Sequence, residues 1–174
     1  MKITKTLISS EEIRNRVRTL GQQITSDYED QPLIMIGILN GAFIFLADLA
    51  RAVELDLKVD FIRVASYGNA TSTSGKITMS KKPELDLAGK HILLVEDIVD
   101  TGTTMAWLTD YLATSFTPAS IKICSLIDKT ERREVPVTVD YTGFSLDKGF
   151  LVGYGLDCAQ KFRNLPEICV LGED

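Results

Sequence analysis

Glu96, Asp97 and Asp100 place three carboxylates at the start of a short stretch, and Thr101-Gly102-Thr103-Thr104 follows at once. Two adjacent carboxylates suit a pair of neighbouring hydroxyls, such as ribose presents on one face. The threonine-rich turn opens a helix, where unpaired backbone N–H groups and the positive end of the helix dipole favour an anion. Gly102 lets the backbone come close to that anion. The acids would repel a phosphate, so the two halves of the stretch take different parts of one ligand. A ribose 5-phosphate fits: phosphate on Thr101, Gly102, Thr103 and Thr104, hydroxyls on Glu96 and Asp97. Asp100 is left over for proton transfer. Taken alone, the same residues also suit a solvated strand end followed by a capped helix.

The elements that must position these groups are legible from periodicity. His91–Val95 is a short apolar strand leading into the acids, and a helix runs from about Thr104 to Ala113. Upstream, Ser9 and Glu12 form a capping box before a helix whose Ile13, Val17, Leu20 and Ile24 share one face. Leu33–Leu39 is an unbroken apolar run, the pattern of a strand buried on both faces. Asn40-Gly41 turns the chain into a helix from Ala42 to Glu54. Strands are expected at Val59–Ala65, Ile77–Met79, Ile121–Ile127, Val135–Tyr141 and Phe150–Tyr154. The polar run Ser66–Gly75 reads as a mobile lid loop. This alternation predicts an α/β fold, an open parallel sheet flanked by helices, with ligands beyond the carboxyl ends of the strands. At 174 residues, one domain over 1–174 is expected.

A formal charge of −5, from 19 basic and 24 acidic residues, argues against a nucleic-acid partner. Cys124, Cys158 and Cys169 form no C-x-x-C pair and no even disulfide framework, which points to a reducing, cytoplasmic setting. The apolar stretch at Leu33–Ala47 is broken by Gly37, Asn40 and Gly41 and is too short for a span, so no membrane association is expected. Gly75-Lys76 lacks the spacing of a P-loop. His91 and Trp107 read as structural, and the charged run 129–134, Lys129 apart, as a solvated turn.

Val95–Thr104 resembles the ribose-phosphate signature of the type I phosphoribosyltransferases, and the chain from about Leu33 to Leu171 resembles their hypoxanthine(-guanine) branch. Further segments carry the likeness: Gly37–Ala42, Ser66-Tyr67, Asp128-Lys129-Thr130, and Phe150–Asp157 with Arg163 after it. The resemblance implies a small hood built from the chain ends over the parallel sheet. It also implies transfer of a phosphoribosyl group from 5-phosphoribosyl 1-diphosphate to hypoxanthine or guanine, giving IMP or GMP and pyrophosphate, with Mg2+. In that reading Glu96 and Asp97 hold the ribose hydroxyls, Thr101–Thr104 the 5′-phosphate, and Asp100 is the base near purine N7. Lys129 donates to O6, Phe150 stacks on the purine, and the Leu151 backbone meets its edge. Asp157 faces the purine and the magnesium–pyrophosphate region. Glu96, Asp97 and Asp157 meet the metal mostly through substrate and water.

Asn40, Gly41 and Arg163 bind pyrophosphate, with a non-proline cis peptide at the Leu39–Asn40–Gly41 turn, and Ser66-Tyr67 forms the lid. Asn40 and Thr103 depart from relatives that carry a basic residue there, which lowers the positive charge offered to the anions. A homodimer or homotetramer is implied. Two other readings on the same scaffold are a sensor of phosphoribosyl diphosphate that binds RNA, and a transferase for another base.

Overall fold

The structure, a computed structural model, describes residues 2–67, 76–147 and 149–172. The helix β-strand pattern is β1 (Lys2–Ile8), α1 (Ser10–Asp27), β2 (Leu33–Leu39), α2 (Phe43–Ala52), β3 (Lys58–Tyr67), β4 (Lys76–Lys81), β5 (His91–Val99), α3 (Thr103–Phe116), β6 (Ser120–Asp128), β7 (Tyr141–Ser145), β8 (Phe150–Val152) and β9 (Ile168–Gly172).

Six strands form the main sheet in the order β4-β3-β2-β5-β6-β7. All pairs are parallel except the edge pair β3–β4. The apolar runs of β2 and β5 alternate sides. Leu33, Met35, Leu93 and Val95 join α1 and α2 in one core, while Ile34, Ile36, Ile92 and Leu94 join α3 in the other. Two cores fed by one strand explain why these segments read as continuous hydrophobic runs. The α1 start matches its sequence signal: Ser9 and Glu12 make a reciprocal capping box.

The chain ends build a second, antiparallel sheet, β1-β9-β8, with Lys2 opposite Gly172. It forms the hood.

Two expectations need correction. No strand covers Val135–Tyr141; β7 begins at Tyr141, and the preceding residues are held differently. The Val135 N–H donates to the Thr101 carbonyl, and the Val137 carbonyl accepts from Arg133. Val137 and Val139 pack on the α3-side core, so their alternation reports one buried face and no ladder. The second correction concerns the lid. Ser66 and Tyr67 are still in β3, paired with Ile77 and Lys76 of β4. Residues 68–75, the body of that expected loop, lie outside the described residues, as do the side chains of Ser66 and Tyr67.

Candidate active site

The carboxyl ends of β2, β5 and β6 meet at the centre of the main sheet, where Gly37 lies opposite Val95 and Val99 opposite Asp128. β5 runs four residues further than its apolar core suggests, so Glu96 and Asp97 belong to the strand itself. Both are buried at 9% exposure. The Asp97 N–H donates to Glu96 Oε1 at 3.0 Å, and the Ile98 N–H to Asp97 Oδ1 at 2.9 Å. Burial, and then the neighbouring Asp97 charge, push the Glu96 carboxyl well above its ordinary pKa. The pair is a buried acceptor set short of donors or cations.

The turn after β5 carries the helix N-terminus. Gly102 is the N-cap residue of α3, with a left-handed φ of 84°, and no side chain caps the helix. Thr101 Oγ1 accepts only a long 3.4 Å bond from the Thr103 N–H. The first N–H groups of α3 therefore keep capacity for an anion. Gly102, Thr104 and Met105 line a cavity of about 200 Å3 together with Glu96, Asp97, Asp100 and Thr101. Asp100 contributes a buried oxygen, Oδ1, that has no hydrogen-bond partner. Its other oxygen lies 3.3 Å from Arg132. A larger cavity, about 780 Å3, lies against α1, α2 and the hood; of the motif segments only Tyr154 lines it, and none of the candidate site residues does.

Gly102 was read as making room for the anion. Its packing adds a second requirement: a Cβ there would stand 2.3 Å from the Val135 carbonyl and 2.9 Å from Arg133 Cδ. The segment after Lys129 crosses directly over the turn. Thr130, Glu131, Arg132 and Glu134 are exposed, as expected of a solvated turn, and Arg133 alone corrects that assignment. Arg133 is folded inward, 16% exposed. Its Nε donates to the Asp100 carbonyl at 2.9 Å, and its other nitrogens reach the Val99, Lys129 and Val137 carbonyls and the Asp128 carboxylate. Nothing local in a mixed-charge run marks such an arginine, because two of its acceptors, the Val99 and Asp100 carbonyls, lie at the end of a strand more than 30 positions away.

Lys129 is buried at 7% exposure, and its Nζ donates to the Gly149 carbonyl at 3.2 Å. This places it beside Phe150, which opens β8 and is 53% exposed, a large aromatic face outside the core. Leu151 is buried beneath it.

At the β2 end, the Leu39–Asn40 peptide is cis. Gly41 follows and sits against the acids; a Cβ on it would fall 1.8 Å from Asp97 Oδ2. Hood residue Gly155 packs on the Gly41 carbonyl. Arg163 Nη1 donates to the Gly155 carbonyl at 2.7 Å, and Nη2 lies 2.8 Å from Asp157. Arg163 and Asp157 are thus paired with each other here, next to the β2 turn. Contacts join the candidate residues in two groups: Gly41 meets Asp97 and, through Gly155, Arg163 and Asp157, while Arg133 ties Asp100 to Lys129, whose Nζ reaches the residue before Phe150. Of the sequence-selected site residues, only Ser66 and Tyr67 have side chains outside the description.

His91 is structural, as read: its Nδ1 meets Ser120 Oγ at 2.8 Å, and its ring stands edge-on to Tyr28. Trp107 stacks on Tyr111 against the α3-side core.

A parallel sheet with a phosphate-type turn, adjacent buried acids and a hood from the chain ends defines a class. The phosphoribosyl transferase domain model matches residues 5–159, and the chain belongs to the phosphoribosyltransferase family. It is 45% identical to the hypoxanthine-guanine phosphoribosyltransferase of Aquifex aeolicus over 168 residues, covering 96% of this chain and 94% of that one. It is 43% identical to the hypoxanthine phosphoribosyltransferase of Escherichia coli, covering 93% and 92%. Among solved structures, a hypoxanthine-guanine phosphoribosyltransferase from Bacillus anthracis superposes with a TM-score of 0.94 at 43% identity, covering 98% of this chain and 100% of that one. Within the family, the chain stands with the hypoxanthine(-guanine) phosphoribosyltransferases.

Proposed function

We propose that this chain is a purine-salvage enzyme that moves the phosphoribosyl group of 5-phosphoribosyl 1-diphosphate onto hypoxanthine and guanine, releasing pyrophosphate and giving IMP or GMP. The observation that carries the reading is Asp100 Oδ1, a buried acceptor without a donor, beside a helix N-terminus without a side-chain cap. A purine N7–H and a 5′-phosphate are the missing partners.

In the reaction, purine N9 bonds to ribose C1′ as the bond from C1′ to the diphosphate oxygen breaks, and the diphosphate leaves with the electron pair. The sugar passes through an oxocarbenium-like state. Thr101–Thr104 hold the 5′-phosphate, and Glu96 and Asp97 take the ribose hydroxyls. Asp100 accepts the N7 proton. Lys129 donates to O6; adenine offers an amino donor there, and a buried donor left unpaired opposes it. Phe150 covers the base, and the Leu151 backbone meets its edge. The backbone at Asn40-Gly41 binds the departing diphosphate, and Arg163 turns from Asp157 to the diphosphate oxygens.

No group of three or more acidic, histidine or cysteine ligands that could hold a metal alone occurs among the described residues. The oxygen donors Glu96, Asp97 and Asp157 suit Mg2+ as a companion of the diphosphate, reaching it mostly through substrate and water. When bound it neutralises charge on the leaving group.

The assembly proposed is a homodimer or homotetramer, which a scattering mass near 19 kDa would overturn. No helix among the described residues is long and apolar enough to cross a membrane. Cys124 and Cys169 are buried thiols, in keeping with a reducing cytoplasm.

The test is pyrophosphate release with hypoxanthine, guanine, xanthine and adenine offered separately. Turnover with 6-oxopurines and none with adenine is the expected result. Folded protein that binds phosphoribosyl diphosphate and turns over no purine overturns the reading.

A further inference from the structure

Asp100 and Lys129 each follow the end of a different strand, β5 and β6, yet in the proposed reaction both read one edge of the purine. On that edge N7 and O6 are neighbours with a fixed spacing, and in adenine the second position becomes a donor. The distance between the two side chains therefore decides whether a 6-oxopurine engages both. Backbone pairing alone sets it loosely, because each residue lies just past the end of its strand ladder at Val99 and Asp128.

Arg133 joins the two ends directly. Its guanidinium donates to the Asp100 and Val99 carbonyls on the β5 side, at 2.9 and 3.3 Å, and to the Lys129 carbonyl on the β6 side, at 3.0 Å. Asp128, the residue before Lys129, supplies the compensating carboxylate. A planar fork that spans two backbones in this way fixes both at once, which a single ammonium cannot do. The Lys129 N–H also donates to the Val99 carbonyl at 2.9 Å, so the fork closes a compact ring of bonds behind the site.

We propose that Arg133 is a positioning residue that sets the spacing of Asp100 and Lys129 and thereby the enzyme's engagement of 6-oxopurines. This rests on the assignment of Lys129 to O6. It touches no substrate itself; it acts through the two residues it ties.

The test uses R133K, D128N and K129M in the full chain. R133K keeps the stem to Cδ that packs beside Gly102 and loses the fork, so the phosphate turn keeps its support. Measured quantities are kcat and KM for hypoxanthine, the Kd of phosphoribosyl diphosphate by calorimetry, and the thermal midpoint. R133K lowers kcat/KM for hypoxanthine on the order of 100-fold, as a displacement near 1 Å does. The Kd of phosphoribosyl diphosphate stays within about threefold, because the turn that binds it is unchanged. D128N gives a smaller loss with the same split. R133K with unchanged kcat/KM, beside a K129M that loses hypoxanthine turnover, overturns the positioning role alone. K129M with wild-type kinetics overturns the lysine assignment and the proposal with it. Equal weakening of both substrates in R133K marks general loosening and also overturns it.

Discussion

Asp60 and Asp100 are the same residue type at different points of one sheet, and they are treated in opposite ways. Asp60, 6% exposed, has both oxygens filled: Oδ2 accepts from the Glu84 and Leu85 N–H groups at 2.7 and 2.9 Å, and Oδ1 from Phe61 at 2.6 Å. Lys81 lies 3.6 Å away. Burial pushes its pKa up, but the three N–H donors, aided by Lys81, outweigh that and hold it below the ordinary 3.8. Asp100 keeps one buried oxygen without a partner. A carboxylate whose acceptors are all filled supports the fold; one left short in a cavity supports chemistry, because its missing donor must come with a ligand.

The largest effect that tests this contrast is D100N. Its kcat should fall about 10²- to 10⁴-fold, the range for a lost acid–base group. The Kd of phosphoribosyl diphosphate and the thermal midpoint should hold. A near-normal kcat would break the contrast at its functional end.

D60N should do the reverse, costing about 2 kcal/mol of stability through weakened charge-assisted bonds, or roughly 4–8 °C in midpoint at this chain length. Its kcat/KM should match the parent. Because the folded pKa of Asp60 lies below 3.8, its stabilisation is present above that pH and is lost as pH falls through the lower folded value. The difference between parent and D60N in denaturant midpoint should therefore shrink on acidification. A difference that stays constant down to pH 2 would count against the hydrogen-bonded carboxylate.

Glu96 lies between these cases. Its raised pKa means the folded chain holds a proton that the unfolded chain releases near 4.5. Stability should then decline as pH rises from 4.5 through the raised value, and E96Q should flatten that decline in metal-free buffer. Parallel curves for parent and E96Q would remove the shift.

The smallest effects belong to the exposed cations. K81M and R132Q should each change stability by less than about 1 kcal/mol, since Lys81 and Arg132 are 33% and 67% exposed. A larger loss in R132Q would make Asp100 a structural acid after all.

What sequence could reveal follows the same division. The β5–α3 turn is contiguous, so its three acids and threonine turn were readable as chemistry, and β2 and the α1 cap were readable from local pattern. The hood strands β1 and β9 were invisible to periodicity: β1 is almost wholly exposed, and its partner lies at the other end of the chain. Arg133 escaped because the two acceptors that turn it inward, Val99 and Asp100, are more than 30 positions away and its near ones, the Lys129 and Val137 carbonyls and the Asp128 carboxylate, do not distinguish it in sequence from Arg132. Val135–Val139 misled because alternation shows which side is buried and says nothing of what the backbone bonds to.

The order of strands in the hood bears on how the enzyme comes off the ribosome. β9, synthesised after every other strand, lies between β1 and β8. The strands of the central sheet and the Thr101–Thr104 turn all precede it in sequence, while Ile168 of β9 is still missing from the core that α1 and α2 share with that sheet. Phe150 gains its strand partner, Leu171, only when β9 arrives, and β1 gains its partner at the same moment. With Phe150 in its proposed role, the surface that covers the base is therefore finished only with β9.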